Sequence, residues 1–99
     1  MTLNSSPDTS PLRINDASTL GHAVRARRRR QLLRIDDAAS LSEVSVDLLS
    51  RLENGKGSVR LDKLLKVLDG LGLALVLGPK DHPKMQELSR LGAEQSERS

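Results

Sequence analysis

The sequence predicts a compact, mostly α-helical domain of four short helices, followed by one β-strand. The chain of 99 residues contains no aromatic residue and no cysteine. Its core must therefore be built from Leu, Val, Ile and Ala, and neither disulfides nor a zinc site built from cysteines can supplement it. Such a core suits small, closely packed helices better than a β-sandwich. A domain this small often gains its remaining stability from dimerisation.

The two ends of the chain differ in composition from its middle. Residues 1–17 are rich in Ser, Thr, Asn, Asp and Pro and are predicted to form a flexible arm without the apolar segment of a signal peptide. The longest uninterrupted apolar run, Leu73 to Leu77, is far too short to span a membrane. We expect a cytoplasmic protein with a compact helical domain in residues 18–72, a strand that serves dimerisation in 73–80, and a short helix with a flexible tail in 81–99.

The first helix is predicted to begin at Ser18 or Thr19, either of which can cap a helix N-terminus. Leu20 and Val24 recur at helical spacing and are expected on the core side. The apolar pair Leu32-Leu33 follows the helix, and we expect both residues to be buried in the connection to the second helix.

The second and third helices are separated by a short turn over residues 42–44. The second is predicted from about Asp36 to Leu41, with two acidic residues at its positively polarised N-terminus. Ser45 can cap the third helix through its hydroxyl, and Asn54 and Gly55 end it because both tolerate the left-handed conformation. Two helices joined in this way make a helix-turn-helix. The short third helix has a size that fits the major groove of DNA.

The strongest periodicity in the chain predicts the fourth helix, through Leu61, Leu64, Leu65, Leu68 and Leu71. An apolar run between breakers then predicts a strand, composed of Leu73, Ala74, Leu75, Val76 and Leu77. A lone strand leaves its backbone groups unpaired, so pairing with a second copy across a two-fold axis would make the protein a homodimer. The alternative is a C-terminal extension of the fourth helix.

Basic residues crowd into the first helix and the segment after it, namely Arg25, Arg27, Arg28, Arg29, Arg30 and Arg34. The net charge is only +3, but like charges at this density favour a polyanionic partner. The alternative is an ordinary solvated face. Single-stranded nucleic acid is disfavoured, because its bases usually stack on aromatic rings. Duplex DNA is the expected partner.

The sequence offers no enzyme site and no metal site. His22 and His82 lie far apart in the chain, without a Cys or carboxylate constellation near either. Both are expected to be surface residues and not metal ligands. No serine stands in the context of a nucleophile, and no glycine-rich phosphate loop follows a strand. We expect neither catalysis nor a cofactor.

From Leu20 to Leu71 the chain resembles the Cro/repressor-type (XRE) helix-turn-helix domains of phage repressors and bacterial regulators. The matching residues are Leu20-Gly21, Val24-Arg25, Arg27-Arg28, Ala39, Val44-Ser45, Leu49 and Leu52–Lys56. The continuation from Val59 to Gly72, followed by a strand, is similar to HipB-type antitoxins, which are DNA-binding repressors that partner a HipA-type kinase toxin. The resemblance implies a lambda-repressor-like four-helix fold.

The sequence departs from this family pattern at three places. Arg34-Ile35 stands where Thr-Gln is usual, so Ile35 cannot repeat the polar contact of that Gln with DNA, while Arg34 can supply a phosphate contact. Glu43 stands where the turn usually has a glycine, and its Cβ disfavours a left-handed conformation. Ala38 replaces a common Leu and thins the core.

The resemblance assigns roles to residues by position. Those expected to face base edges are Val46, Asp47, Ser50 and Arg51. Arg51 is the best candidate for specificity, because bidentate donation to guanine discriminates between bases by about 1–3 kcal/mol. Val46 can pack on a thymine methyl group, and Asp47 can accept a hydrogen bond from cytosine. The alternative is that these are ordinary surface residues.

A second set is expected to contact phosphates and so to hold the register without reading sequence. Its members are Arg27, Arg34, Lys56, Gly57, Ser58 and Arg60. Arg28 is expected to pair with Glu53, as the corresponding residues do in the family. Such a pair would tie the first helix to the end of the third and orient the recognition helix.

Together these roles predict a homodimeric, sequence-specific repressor of a palindromic operator in double-stranded DNA. We expect the chain to be the HipB-like antitoxin of a toxin–antitoxin pair with a HipA-like kinase, and to repress its own operon. One alternative is a free-standing regulator without a toxin. The other is a protein-interaction adaptor that does not bind DNA and uses its Arg-rich helix to bind an acidic protein surface.

Overall fold

Helices account for most of the folded part of the chain: α1 spans Ala17–Arg30, α2 Ile35–Ser42, α3 Val46–Glu53 and α4 Leu61–Gly70. The structure is a computed structural model that describes residues 11–87. All four helices lie in one compact unit, Asn15–Leu75. Helix α1 packs against α3, and α2 packs against both α3 and α4. The predicted mostly helical fold is confirmed.

The core of this unit is aliphatic, as the composition requires. Its buried members are Val24, Ala38, Ala39, Leu49, Leu52, Val67, Leu68 and Leu71. Every helix contributes to this cluster, so the apolar area removed from water holds all four together. Within residues 11–87, no helix is long and apolar enough to cross a membrane.

Helix α1 begins earlier than predicted, because Asp16 and not Ser18 or Thr19 is its N-cap. The Asp16 carboxylate accepts a hydrogen bond of 2.7 Å from the backbone N–H of Thr19. This hydrogen bond holds the pKa of Asp16 below its ordinary value. Ala17, which the sequence assigned to the flexible arm, therefore belongs to α1.

The close crossing of α1 and α3 depends on Gly21. A Cβ at this position would overlap the carbonyl oxygen of Leu52 and lie 2.7 Å from that of Glu53. Both oxygens are backbone atoms in the last turn of α3, which cannot give way as a flexible side chain would. Glycine therefore lets α1 hold the end of α3 directly against its own backbone.

Helices α1 to α4 each end in a turn with one residue in the left-handed region. These residues are Leu32, Glu43, Gly55 and Gly72, with φ of 60°, 61°, 66° and 74°. Gly55 shows the pattern: its N–H donates to the Leu52 carbonyl at 3.1 Å, and the next N–H, of Lys56, donates to Arg51 at 2.9 Å. Glycine adopts this conformation without strain, whereas the Cβ atoms of Leu32 and Glu43 oppose it.

Leu32 is not buried, contrary to the sequence prediction, and its side chain is 91% exposed. The reason lies in the turn that ends α1, where the apolar contact is made by the residue that follows the left-handed one. That residue is Leu33, which packs against the core.

The strand predicted over residues 73–77 does not form in the described part of the chain. Residues 73–79 have no regular secondary structure. A β-strand requires backbone hydrogen bonds to a second strand, and the single chain provides no such partner within residues 11–87. The alternative of a longer fourth helix is also wrong, because α4 ends at Gly70.

Residues 11–14 and 76–87 belong to a second unit. Residues 83–87 are helical, and the ring nitrogen Nδ1 of the exposed His82 accepts a 3.2 Å hydrogen bond from Lys84 N–H at their start. Most of the predicted arm (residues 1–10) and the end of the predicted tail (residues 88–99) lie outside the described residues.

Candidate nucleic-acid interface

Helix α3 has well-defined ends. At its start, the Ser45 hydroxyl accepts a hydrogen bond of 3.0 Å from Leu48 N–H, which confirms the predicted N-cap. At its end, the left-handed Gly55 turns the chain away into the loop 56–60. The helix is therefore limited to two turns, Val46–Glu53.

One face of α3 is buried and the other is open. Leu49, Leu52 and Glu53 are buried against the rest of the unit. Val46 is 44% exposed, Asp47 is exposed, and Ser50 and Arg51 are half-buried. The open face thus carries the four residues that the resemblance assigned to base reading.

Arg51 is held by two acceptors on different segments. Its Nε donates to Asp47 Oδ2 at 3.1 Å, one turn earlier in α3. Its Nη1 donates to the backbone carbonyl of Ser58 at 3.2 Å, in the loop that follows the helix. The guanidinium therefore connects α3 with this loop. The Asp47 contact was not foreseen from the sequence, although an acidic and a basic residue four positions apart are its usual signal.

Arg28 and Glu53 form a bidentate ion pair between α1 and the last residue of α3. Arg28 Nε donates to Glu53 Oε2 at 2.6 Å, and Nη2 donates to Oε1 at 3.0 Å. The third nitrogen, Nη1, donates to the Leu33 carbonyl at 2.9 Å. The two side chains are only 13% and 4% exposed. The hydrogen bonds that Arg28 donates to this carboxylate raise the pKa of Arg28, so its charge is fixed at any ordinary pH.

Three arginines around α3, of which Arg34 and Arg60 are exposed and Arg51 is half-buried, each have a carboxylate beside them. Besides the Arg51–Asp47 pair, Arg34 lies 3.5 Å from Asp36, and Arg60 lies 3.1 Å from Asp62. Exposed pairs of this kind contribute only about 0–1 kcal/mol. A phosphate can therefore replace the carboxylate of Asp36 or Asp62 at little cost.

The loop after α3 presents both side-chain and backbone hydrogen-bond donors. Lys56, Gly57 and Ser58 are exposed. The backbone N–H groups of Gly57 and Ser58 donate no hydrogen bond to any atom within residues 11–87. Exposed N–H groups next to a lysine form an arrangement that suits an anion.

Arg27 has a role inside the fold that the sequence did not reveal. Its Nε donates to the Leu71 carbonyl at 2.9 Å, and Gln31 Nε2 donates to the same oxygen at 3.0 Å. A side chain in the last turn of α1 and the C-cap residue of that helix thus hold the end of α4. Such a contact between distant parts of the chain has no signal in local spacing.

The predicted dimerisation residues fall into two groups. Leu73 packs against the core, whereas Ala74, Leu75, Val76 and Leu77 are exposed. Leu77, at 97% exposure, leaves almost its whole side chain in water. Among the described residues, no three His, Cys, Asp or Glu side chains are arranged to hold a metal ion.

Known proteins resemble this chain in sequence. The family model described as a helix-turn-helix domain matches residues 19–77. An uncharacterised HTH-type transcriptional regulator of Sinorhizobium fredii is 34% identical over 73 residues, which cover 73% of this chain and 96% of that protein.

Solved structures resemble it in fold. A chain of the HipA–HipB–O2–O3 complex superposes with a TM-score of 0.65 at 20% identity, covering 72% of this chain and 100% of that one. The clp gene regulator ClgR from C. glutamicum superposes with a TM-score of 0.56 at 30% identity, covering 67% of this chain and 83% of that one. With a family model that spans more than half of its length and a relative matched almost end to end, the chain belongs to the helix-turn-helix family of transcriptional regulators.

Proposed function

We propose that this chain is a sequence-specific repressor that binds double-stranded DNA as a homodimer, with α3 in the major groove. The observation that carries the proposal is the open face of α3, on a short helix that is capped at Ser45 and braced from behind by Arg28–Glu53. A rigid helix of two turns with one face accessible from outside can enter a groove about 12 Å wide.

Base reading is assigned to Val46, Asp47, Ser50 and Arg51, the residues on that face. Arg51 contributes most of the discrimination, because guanine offers two acceptors in the major groove that match a guanidinium. Val46 adds apolar contact to a thymine methyl group. Val46 and the Asp47 carboxylate have no side-chain donor and the Ser50 hydroxyl has one, so only Arg51 can donate two hydrogen bonds to one guanine.

Phosphate contacts are assigned to Arg34, Lys56 and Arg60, with the N–H groups of Gly57 and Ser58. All of these are exposed, and they lie at the start of α2 and in the loop after α3. Arg27 is left out of this set, because its Nε is already engaged by the Leu71 carbonyl. On contact with DNA, Arg34 and Arg60 would exchange Asp36 and Asp62 for phosphate oxygens.

Dimerisation is assigned to residues 73–77. Their backbone lacks strand partners within residues 11–87, and four of their five side chains are exposed. Pairing with the same segment of a second copy would supply backbone hydrogen bonds and bury apolar side chains. It would also set the distance between two α3 helices, so that the dimer reads a palindromic operator with half-sites about one helical turn apart.

The likeness to a chain of the HipA–HipB–O2–O3 complex supports a more specific role. We place this chain in the cytoplasm as the antitoxin partner of a HipA-like kinase, repressing the operon that encodes both. A free-standing regulator is the second candidate, and the S. fredii relative favours it, since that protein is named only as a transcriptional regulator.

The test combines a selection with a titration. Full-length protein is incubated with a pool of randomised DNA duplexes, the bound duplexes are sequenced, and binding of the selected duplex is then measured by electrophoretic shift. We expect an enriched palindrome and an affinity that falls steeply between 50 and 200 mM salt, as phosphate neutralisation requires. Absence of enrichment, or binding that salt does not weaken, contradicts the proposal.

The dimer and the partner are tested separately. Sedimentation of the protein, with and without the selected duplex, should give two chains per duplex. Co-purification with the product of the neighbouring gene distinguishes the antitoxin from the free-standing regulator, because only the antitoxin brings a kinase with it.

A further inference from the structure

We infer that Asp47 determines specificity indirectly: it does not read a base itself but orients Arg51 toward guanine. The inference rests on the proposed function, since it concerns how α3 reads duplex DNA. It changes the role of Asp47 from a base-contacting residue to a positioning residue.

The contacts of Arg51 support this role. Asp47 accepts from Nε at 3.1 Å and the Ser58 carbonyl accepts from Nη1 at 3.2 Å. A guanidinium is planar and rigid, so two acceptors on two segments fix both its position and the direction of its plane. Gly57 lies beside this arrangement without obstructing it, since even a Cβ at that position would be 3.5 Å from Nη1.

The donors that remain are the ones that guanine needs. A guanidinium carries five N–H donors, and the two contacts above use one on Nε and one on Nη1. Three donors on Nη1 and Nη2 have no acceptor within residues 11–87, whereas guanine O6 and N7 require two. The Arg51 side chain is 42% exposed, so these donors can be reached from outside.

Holding the side chain in advance favours binding. A free arginine samples many rotamers, and those are lost when it contacts a base. When Asp47 and Ser58 restrict the rotamers beforehand, less of that entropy is lost on binding. The advantage applies only where the fixed donors meet two acceptors, so it raises the preference for guanine more than the affinity for DNA in general.

The pair is not needed to hold the fold together. Asp47 is 83% exposed, and exposed ion pairs between neighbouring helical positions contribute little to stability. Its removal should therefore leave α3 folded. This makes substitution of Asp47 a clean test of orientation.

Arg60 and Asp62 provide a matched control. They form an exposed pair at the same distance, 3.1 Å, and Asp62 lies in the first turn of α4 as Asp47 lies in the first turn of α3. Asp62→Ala removes the same charge from the same kind of helix position. The ion-pair partner of Asp62, Arg60, lies outside α3.

The experiment compares selections from a randomised duplex pool. The Arg51→Ala variant first identifies the base-pair position that Arg51 reads, as the one where guanine preference disappears. At that position Asp47→Ala should reduce the guanine preference about tenfold, and Asp47→Glu should restore it, because Glu can still reach an arginine four positions later. Asp62→Ala should keep the preference. Asp47→Ala and Asp62→Ala should each bind non-specific duplex slightly more tightly, since each removes one negative charge.

Two results would overturn the inference while leaving the proposed function intact. One is an unchanged guanine preference in Asp47→Ala. The other is a loss of preference at a base pair that Arg51→Ala does not affect, which would mean that Asp47 reads its own base. If the unsubstituted protein enriches no sequence at all, the proposed function fails and the inference fails with it.

Discussion

Arg28 donates two hydrogen bonds to Glu53, at 2.6 and 3.0 Å, and so joins α1 to the last residue of α3. The pair lies beside the crossing at Gly21, where the backbones of the same two helices meet. The geometry of the open α3 face therefore depends on a contact on its buried side.

Arg28→Ala is expected to lower the free energy of unfolding by about 3–5 kcal/mol, because it leaves the buried Glu53 carboxylate without its partner. Affinity for the selected duplex should fall in parallel, since α3 loses its brace. Thermal unfolding followed by circular dichroism measures the first effect, and Arg25→Ala, at an exposed position of the same helix, serves as the control. A melting temperature equal to that of the unsubstituted protein would show that the pair does not brace α3.

Glu43→Gly is expected to stabilise the protein by about 1 kcal/mol, because Glu43 holds a left-handed conformation that its Cβ opposes. For a domain of this size, such a gain raises the melting temperature by roughly 4–8 °C. Glu43→Ala is the control, since it also removes the exposed ion pair with Lys66 but keeps the Cβ. Equal melting temperatures for the two variants would show that relief of backbone strain is not the source of any stabilisation.

Substitution of Arg27 is expected to affect stability and not the salt dependence of DNA binding, whereas substitution of Arg60 is expected to do the reverse. Arg27→Ala should lower stability by about 1–2 kcal/mol, because the Leu71 carbonyl loses a charged donor, and should leave the salt dependence of DNA binding unchanged. Arg60→Ala should leave stability nearly unchanged and reduce the slope of log K against log salt by about two per dimer. Affinity titrations at several salt concentrations measure the salt slope, and melting curves measure the stability. A reduced salt slope in Arg27→Ala would return that residue to the phosphate-contacting set.

Asp16 is expected to make the start of α1 sensitive to acid. Hydrogen bonding lowers its folded-state pKa, so its stabilising effect is complete above the unfolded pKa of about 4 and is lost as the pH falls through the lower folded value. The melting temperature of the unsubstituted protein should exceed that of Asp16→Asn at pH 7, and the gap should close toward pH 2. A gap that does not change with pH would exclude the carboxylate charge as its source.

The sequence predicted helix ends best where only one residue nearby could cap or end the helix. Ser45 and Asn54-Gly55 marked the ends of α3, and the leucine spacing marked α4. At the start of α1, by contrast, Asp16, Ser18 and Thr19 all qualify as caps, and only the backbone geometry selects Asp16.

Contacts between distant segments were harder to foresee. An apolar residue is predicted to be buried, yet the turn after α1 leaves Leu32 exposed. The Arg27–Leu71 hydrogen bond joins residues that are 44 positions apart, which no local pattern encodes. A strand over residues 73–77 would need a second strand beside it, and the spacing of residues within this segment does not encode such a partner.

The most direct test of α3 as the DNA-reading helix is amide chemical-shift mapping by NMR with the selected duplex. The largest changes are expected at residues 46–51, followed by the loop 56–60 and the start of α2 near Arg34. Changes confined to the exposed side of α1, around Arg25 and Arg29, with α3 unaffected, would contradict this account of the interface.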